Sequence, residues 1–212
     1  MMPPSPPRVY LVTDPSAGPG LLACAAAALA GLPPGVVAVQ LRARGATGRE
    51  LLATARALRE VVASAGQLLL VNDRVDVALA SGADGVHLPA AGIPAGDARA
   101  LLGPGRLIGV SCHSAEDVAR NRAAGADFAT FGPIFDTPSK RPYGAPVGLG
   151  RLREAAALGL PLLGLGGIDP SNAPSVAAAG AHGVAAIRAW LESPDPAAVV
   201  RALLVATKMR PR

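Results

Sequence analysis

Eight short β-branched runs punctuate the chain: RVYLVTD (8–14), VVAVQLR (36–42), QLLLVND (67–73), DGVHL (84–88), RLIGVS (106–111), DFATFG (127–132), LPLLGLGG (160–167) and HGVAAI (182–187). Each is apolar almost without interruption, the pattern of a strand covered on both faces. Between them lie Ala-, Leu- and Arg-rich segments with helical spacing, such as GRELLATARALREVVASAG and SAEDVARNRAAGA. Ser114 followed by Asp117 reads as a helix start, and Gly125 as a helix end.

Alternating strands and helices predict a parallel sheet with right-handed crossovers. Eight such units in 212 residues fit an α/β fold of the smallest closed kind, a single-domain (β/α)8 TIM barrel over 1–212. An open doubly wound sheet is the rival, weakened because no G-x-G-x-x-G follows the first strand. Residues 1–7, MMPPSPP, are expected to form a flexible tail.

Composition narrows the function classes. Half the residues are apolar and 17% are charged, so a large core is assured and a disordered chain is excluded. Aromatics at 3% leave few rings for stacking on bases. The net charge of +5 comes from scattered arginines, a pattern of a solvated surface with a few cations left for an anion-binding cleft. Two cysteines make no disulfide framework; Cys24 reads as a small buried hydrophobe and Cys112 as packing. No signal-peptide pattern or membrane span is read, and the expected compartment is the cytoplasm.

In a barrel the C-terminal strand ends share one mouth, where the chemistry sits. Polar residues fall there repeatedly: Gln40, Arg42 and Arg44 at strand two, Asn72 and Asp73 at strand three, and His87 at strand four. Ser111 and His113 follow at strand five, Thr137, Ser139 and Lys140 in the loop after strand six, and Ile187–Arg188 at strand eight. Gly166 and Gly167 let backbone amides approach an oxyanion, and Ser171–Asn172 open a helix whose N-terminus favours negative charge. A tight turn explains a lone glycine pair equally well; the position at strand seven favours phosphate. Asp73 can hold a divalent metal through oxygen, cap the next helix, or do both. Cys112 and His113, adjacent on a strand, point to opposite sides and make no nucleophile–base pair. His87 reads as a satisfied buried histidine.

At these residues the chain resembles the thiamine phosphate synthases and their sister group, the thiazole tautomerases. VQLRAR, VNDRVDVALASGADGVHL, IGVSCHS, GADFATFGPIFDTPSK and GLGGIDPSNAPSVAAAGAHGVA match family motifs in order and spacing. The resemblance implies a (β/α)8 barrel that joins aminopyrimidine-methyl diphosphate to thiazole phosphate, releasing pyrophosphate. It implies a pyrimidine gripped by Gln40, Arg42 and Asn72, and a diphosphate held by Arg42, Arg44, Asn72 and Lys140, with Mg²⁺ on Asp73. Thiazole phosphate falls to Thr137, Ser139, Gly167 and the amides at Ile187 and Arg188, and Ser111 lies near the pyrimidine and diphosphate. Arg42, Lys140 and Ser111 are the expected catalytic groups, stabilising charge on the leaving diphosphate. The expected partners are therefore small phosphorylated molecules, with neither nucleic acid nor membrane, and a homodimer is left open.

Three departures from the family pattern stand out. Gly92 occupies the place of the second metal aspartate, which puts Mg²⁺ in question. Arg44 replaces a lysine, and Arg188 replaces a serine. The alternatives are a thiazole tautomerase-like isomerase and a non-catalytic thiazole-phosphate-binding homologue. Tautomerases tend to carry a histidine where this chain has Pro133, which favours the synthase.

Overall fold

The computed structural model describes residues 3–14, 18, 20–137 and 145–208. Eight parallel strands follow one another around a closed barrel: β1 (Val9–Val12), β2 (Val37–Leu41), β3 (Leu68–Asn72), β4 (Gly85–Leu88), β5 (Leu107–Cys112), β6 (Phe128–Phe131), β7 (Leu162–Leu165) and β8 (Gly183–Ala186). Strand β8 pairs back onto β1, so the open-sheet alternative is excluded. Around the barrel lie α1 (Leu21–Leu29), α2 (Gly48–Ser64), α3 (Val75–Ser81), α4 (Ala95–Leu102), α5 (Ala115–Ala123), α6 (Gly148–Ala156) and α7 (Ala173–Ala178). A short α8 (Arg188–Leu191) then precedes the closing helix α9 (Pro196–Lys208). All eight expected strands are present; seven are shorter than the runs read from the sequence, and β5 has six residues displaced by one from RLIGVS.

The pleat divides each continuous run into two cores. Val9, Leu11, Val37, Val39, Leu69 and Val71 face outward and are sealed by the helices. Their neighbours Tyr10, Ala38, Leu68 and Leu70 face inward, where they meet Leu107, Phe128, Leu163 and Ala185. With so few aromatics, the inner core places large residues against glycine. A Cβ on Gly109 would lie 2.4 Å from Phe128 Cζ, so only glycine leaves room for that ring.

Local signals set the helices. Ser114 Oγ accepts from Asp117 N at 3.1 Å, the expected start of α5, and α2 opens on a reciprocal cap between Thr47 and Glu50. Trp190 in α8 is fully buried and donates from Nε1 to Val12 O at 3.3 Å, fixing the last turn of the barrel against the first strand.

At the N-terminal end of the strands, acids clip the sheet to the helices. Asp84 Oδ2 accepts from Leu69 N (2.8 Å) and Arg59 Nη1 (3.0 Å). Asp127 Oδ2 repeats the arrangement with Ile108 N (2.6 Å) and Arg99 Nη2 (2.7 Å).

Ahead of β1, Pro7 is buried, and the His182 ring donates to Pro6 O at 3.2 Å. A proline carbonyl is a good acceptor, and His182 sits at the barrel bottom to meet it. The expectation for Cys24 is corrected: it is only partly buried, packing at the margin of the outer core with its thiol donating to Trp190 O at 3.9 Å. Among the described residues no helix is long and apolar enough to cross a membrane.

Candidate active site

The upper mouth is built strand by strand. Beyond β1, Thr13 Oγ1 accepts from Arg42 N at 2.8 Å and donates to Arg42 O at 3.3 Å, fixing where the arginine leaves β2. The Arg42 guanidinium faces Asp14 at 3.6 Å. Burial, then the neighbouring charge of Arg44, holds its pKa below the ordinary arginine value, while Asp14 opposes them; the group remains charged. Arg44, Asn72, Asp73 and Arg74 line one cleft of about 210 Å³, so three of the expected ligands share a wall. A larger hollow of about 360 Å³ lies between α1 and α2, lined by residues such as Ala26, Leu29 and Val61, and has no part in the mouth.

Asp73 has a left-handed backbone, φ 66°, the one such non-glycine among the described residues. Its amide donates to His87 O at 2.9 Å. The cap reading for Asp73 is corrected: Arg74 is the N-cap of α3, with no side-chain cap bond, because the left-handed turn carries Asp73 off the helix axis. Arg74 itself forks onto Asp76 at 2.8 and 2.5 Å. Backbone strain of this kind is worth on the order of 1–3 kcal/mol and collects at functional positions.

Below the mouth lies a buried polar floor. Gln40, 3% exposed, donates from Nε2 to Tyr10 Oη at 3.1 Å. Burial raises the Tyr10 pKa well above the phenol range, so the hydroxyl stays neutral. Tyr10 meets Phe128 edge-on and lies beside His87. His87 Nε2 lies 3.1 Å from Ser111 Oγ and 3.5 Å from Thr130 Oγ1. Burial pushes its pKa down to about 3, so the ring is neutral. The satisfied histidine of the sequence reading is only half satisfied, for Nδ1 has no hydrogen-bond partner among the described residues.

On the far side, the loop after β6 is fastened to the end of β7. Ile134 N donates to Leu165 O (2.8 Å) and Phe135 N to Gly166 O (3.1 Å). Gly166 and Gly167 have φ of 103° and 66°. A Cβ on Gly167 would come within 3.0 Å of Phe135 Cβ and 3.4 Å of Thr137 Cγ2, so Thr137 is packed on Gly167. Thr137 is 6% exposed, and its Oγ1 has no partner among the described residues. A buried hydroxyl left unpaired is worth roughly 1–3 kcal/mol, a deficit that a bound oxyanion removes.

The helix after β7 departs from expectation. Asp169 Oδ1 accepts from Ser171 N (2.7 Å), Ser171 Oγ (2.6 Å) and Asn172 N (3.3 Å), so the chain's own carboxylate fills the place intended for phosphate. These bonds, led by the Ser171 hydroxyl, hold the Asp169 pKa below the usual range. Asn172 instead braces the glycine turn, donating from Nδ2 to Gly167 O at 2.8 Å. Ile187 packs on the inner core and Arg188, exposed, begins α8.

Cys112 is buried in the outer core, its thiol pushed up to about 12 mainly by burial, which suits packing and no nucleophile. His113 points the other way and donates from Nδ1 to Gly132 O at 2.6 Å. Ser139 and Lys140 lie outside the described residues. Four residues of the mouth escaped the sequence reading: Thr13, Asp14, Tyr10 and Thr130. Thr13 and Asp14 were detectable, since RVYLVTD ends in polar residues like the other strands. Tyr10 and Thr130 lie inside strands, where only the pleat reveals which way they face.

Among the described residues no group of three His, Cys, Asp or Glu side chains comes together to hold a metal. Gly92 N donates to Pro89 O at 2.9 Å, and a Cβ at Gly92 would lie 2.9 Å from Pro89 Cδ. That turn therefore resists a side chain at the position of the second aspartate. The cleft offers a divalent ion one carboxylate, Asp73, beside Arg44 and Arg74, so its remaining oxygens would have to come from water and ligand.

The family model described as thiamine monophosphate synthase matches residues 9–190. A Geobacter sulfurreducens protein named "Putative thiamine-phosphate synthase" is 51% identical over 207 residues, covering 96% of each chain. A thiamine-phosphate synthase of Methanoculleus marisnigri is 45% identical over 196 residues, covering 92% of each. Among solved structures, a thiamine phosphate pyrophosphorylase from Pyrococcus furiosus superposes with a TM-score of 0.84 at 31% identity, covering 95% of each chain.

Proposed function

The chain belongs to the thiamine monophosphate synthase family, and on that footing we propose that it is a transferase coupling aminopyrimidine-methyl diphosphate to thiazole phosphate, giving thiamine phosphate and pyrophosphate. The observation that carries this reading is a family match running the length of a barrel whose mouth has two polar walls. One wall is cationic around Arg42 and Arg44; the other holds, on Gly167, the Thr137 hydroxyl that has no partner among the described residues.

In the reaction the methylene C–O bond breaks, and diphosphate departs with the electron pair. The thiazole nitrogen lone pair then forms the C–N bond, leaving a thiazolium with no proton to remove. The chain's residues need only bind, orient and neutralise charge. Gln40, set by Tyr10 on the floor, meets the pyrimidine edge, with Asn72 beside it. Arg42, Arg44 and Lys140 take the diphosphate, Ser111 donates to it, and Arg42 exchanges its loose contact with Asp14 for the stronger one. Thr137, Ser139 and Gly167 hold thiazole phosphate, with Ile187 and Arg188 closing the same side. Asp73 would hold Mg²⁺, which would supply further neutralisation of charge on the leaving group. The absence of a general base fits a neutral His87 and a high-pKa Cys112.

Purified protein given both substrates, with and without Mg²⁺, tests the proposal. Thiamine phosphate and pyrophosphate should appear in equal amounts and depend on the metal. Isomerisation of a thiazole carboxylate phosphate without coupling would replace the synthase by the tautomerase, and binding without turnover would leave a non-catalytic homologue.

A further inference from the structure

The polar atoms beneath the mouth do not all find partners, and the exception carries information. His87 is 3% exposed at the centre of the barrel, among Tyr10, Phe128 and Gly109. One ring nitrogen, Nε2, reaches two hydroxyls: Ser111 Oγ at 3.1 Å and Thr130 Oγ1 at 3.5 Å. The other, Nδ1, has no hydrogen-bond partner among the described residues. A neutral imidazole carries its proton on one nitrogen and a lone pair on the other.

The surroundings of Nδ1 decide between them. A Cβ built on Gly109 would lie 2.8 Å from Nδ1, so the glycine hydrogen in that direction points at the ring nitrogen. A lone pair accepts such a C–H weakly, whereas an N–H there would meet it hydrogen to hydrogen. Orphaned buried N–H groups are also rarer than under-satisfied acceptors.

We infer that His87 is held as the Nε2–H tautomer and is a positioning residue for Ser111, donating to Ser111 Oγ so that the serine proton is turned towards the mouth. With its oxygen lone pair engaged from below, the partly exposed Ser111 becomes a donor of fixed direction towards a phosphate oxygen. The opposite tautomer would draw the serine proton down to Nε2 and present lone pairs to an anion, the wrong sign. Gly109 thus sets the tautomer from one side of the ring, and Ser111 reports it on the other. The assignment of the phosphate oxygen to the departing diphosphate rests on the synthase reading; the tautomer does not.

Two measurements test this. Nitrogen-15 NMR of histidine-labelled protein, with His87 assigned by its loss in His87→Gln, should show a protonated Nε2 and a bare Nδ1. A protonated Nδ1 overturns the inference. Calorimetric binding of inorganic pyrophosphate with Mg²⁺ provides the functional arm. Ser111→Ala should weaken binding about tenfold, and His87→Leu roughly three- to tenfold. In a Ser111→Ala background His87→Leu should add less than about twofold, since the two act as one unit. His87→Gln, whose Nε2 amide can still donate to Ser111, should recover to within about threefold of wild type. A His87→Leu effect undiminished without the serine sinks the positioning role. If His87→Leu does not fold, His87→Met, of similar volume and also without a donor, decides in the same way with and without Ser111→Ala. Wild-type protein that fails to bind pyrophosphate counts against the synthase reading, while the nitrogen spectrum still decides the tautomer.

Discussion

The two ends of the barrel use the same residue types to opposite effect. At the lower end, Asp84 and Asp127 each accept a strand amide and an arginine, at distances of 2.6 to 3.0 Å. At the upper end Arg42 and Asp14 stand 3.6 Å apart, Asp73 sits in a left-handed turn, and the Thr137 hydroxyl is buried without a hydrogen-bond partner among the described residues. The lower end is clipped by short contacts, whereas the upper end combines a longer ion pair, a strained turn and a buried hydroxyl. Backbone strain and an unpaired hydroxyl both cost free energy and collect where a ligand binds.

Breaking the lower end should give the largest effect. Asp127→Ala strands Arg99 and the Ile108 amide, and loss of one partner from such a mostly buried pair is worth roughly 3 kcal/mol. Thermal denaturation should show a fall in Tm of about 6–12 °C. The coupling rate at low temperature should stay near wild type, because the mouth lies at the other end of the strands. A Tm within a degree or two of wild type would mean that the lower clips are ordinary surface pairs.

Arg42→Ala should invert that result. Asp14 is 38% exposed and regains water when the arginine goes, so stability should move by less than about 1 kcal/mol. Contacts from a guanidinium to phosphate contribute roughly 1.5–3 kcal/mol, and kcat/KM for coupling should drop about tenfold to a hundredfold. If Arg42→Ala unfolds the protein as readily as Asp127→Ala does, the contrast between the ends collapses.

The same contrast explains what the sequence could disclose. All eight strands were legible because a strand buried on both faces leaves a short apolar run rich in β-branched residues, whereas α1, apolar throughout, is built from Leu, Ala and Cys. Arg44, Asn72 and Asp73 were legible as the polar ends of such runs, and the structure brings them to one cleft. Directions and pairings were not. That Asp169 fills its own helix start depends on an Asx turn, and the motif IDPSN fits that turn and an open anion site equally well. Tyr10 under Gln40, and Gly109 against His87, join residues from different strands, and barrel register alone brings them together.

Asp73 sharpens the comparison most finely, since one substitution should move stability and function in opposite directions. Its φ of 66° suits glycine better than any side chain. Asp73→Gly relieves the turn but also enlarges the unfolded ensemble, so the net gain should be small, about 0.5–1 kcal/mol, or a rise in Tm of roughly 1–4 °C. The same change removes the carboxylate assigned to Mg²⁺, so half-maximal coupling should require more metal. Asp73→Asn separates the two effects: asparagine tolerates the left-handed region, leaving Tm almost unchanged, while the loss of charge should still raise the Mg²⁺ requirement. If Asp73→Gly lowers Tm, the residue is part of the scaffold and its strain has another origin. If neither variant alters the response to Mg²⁺, the metal is held by the substrates alone, and the left-handed turn serves only to carry the chain from β3 into α3.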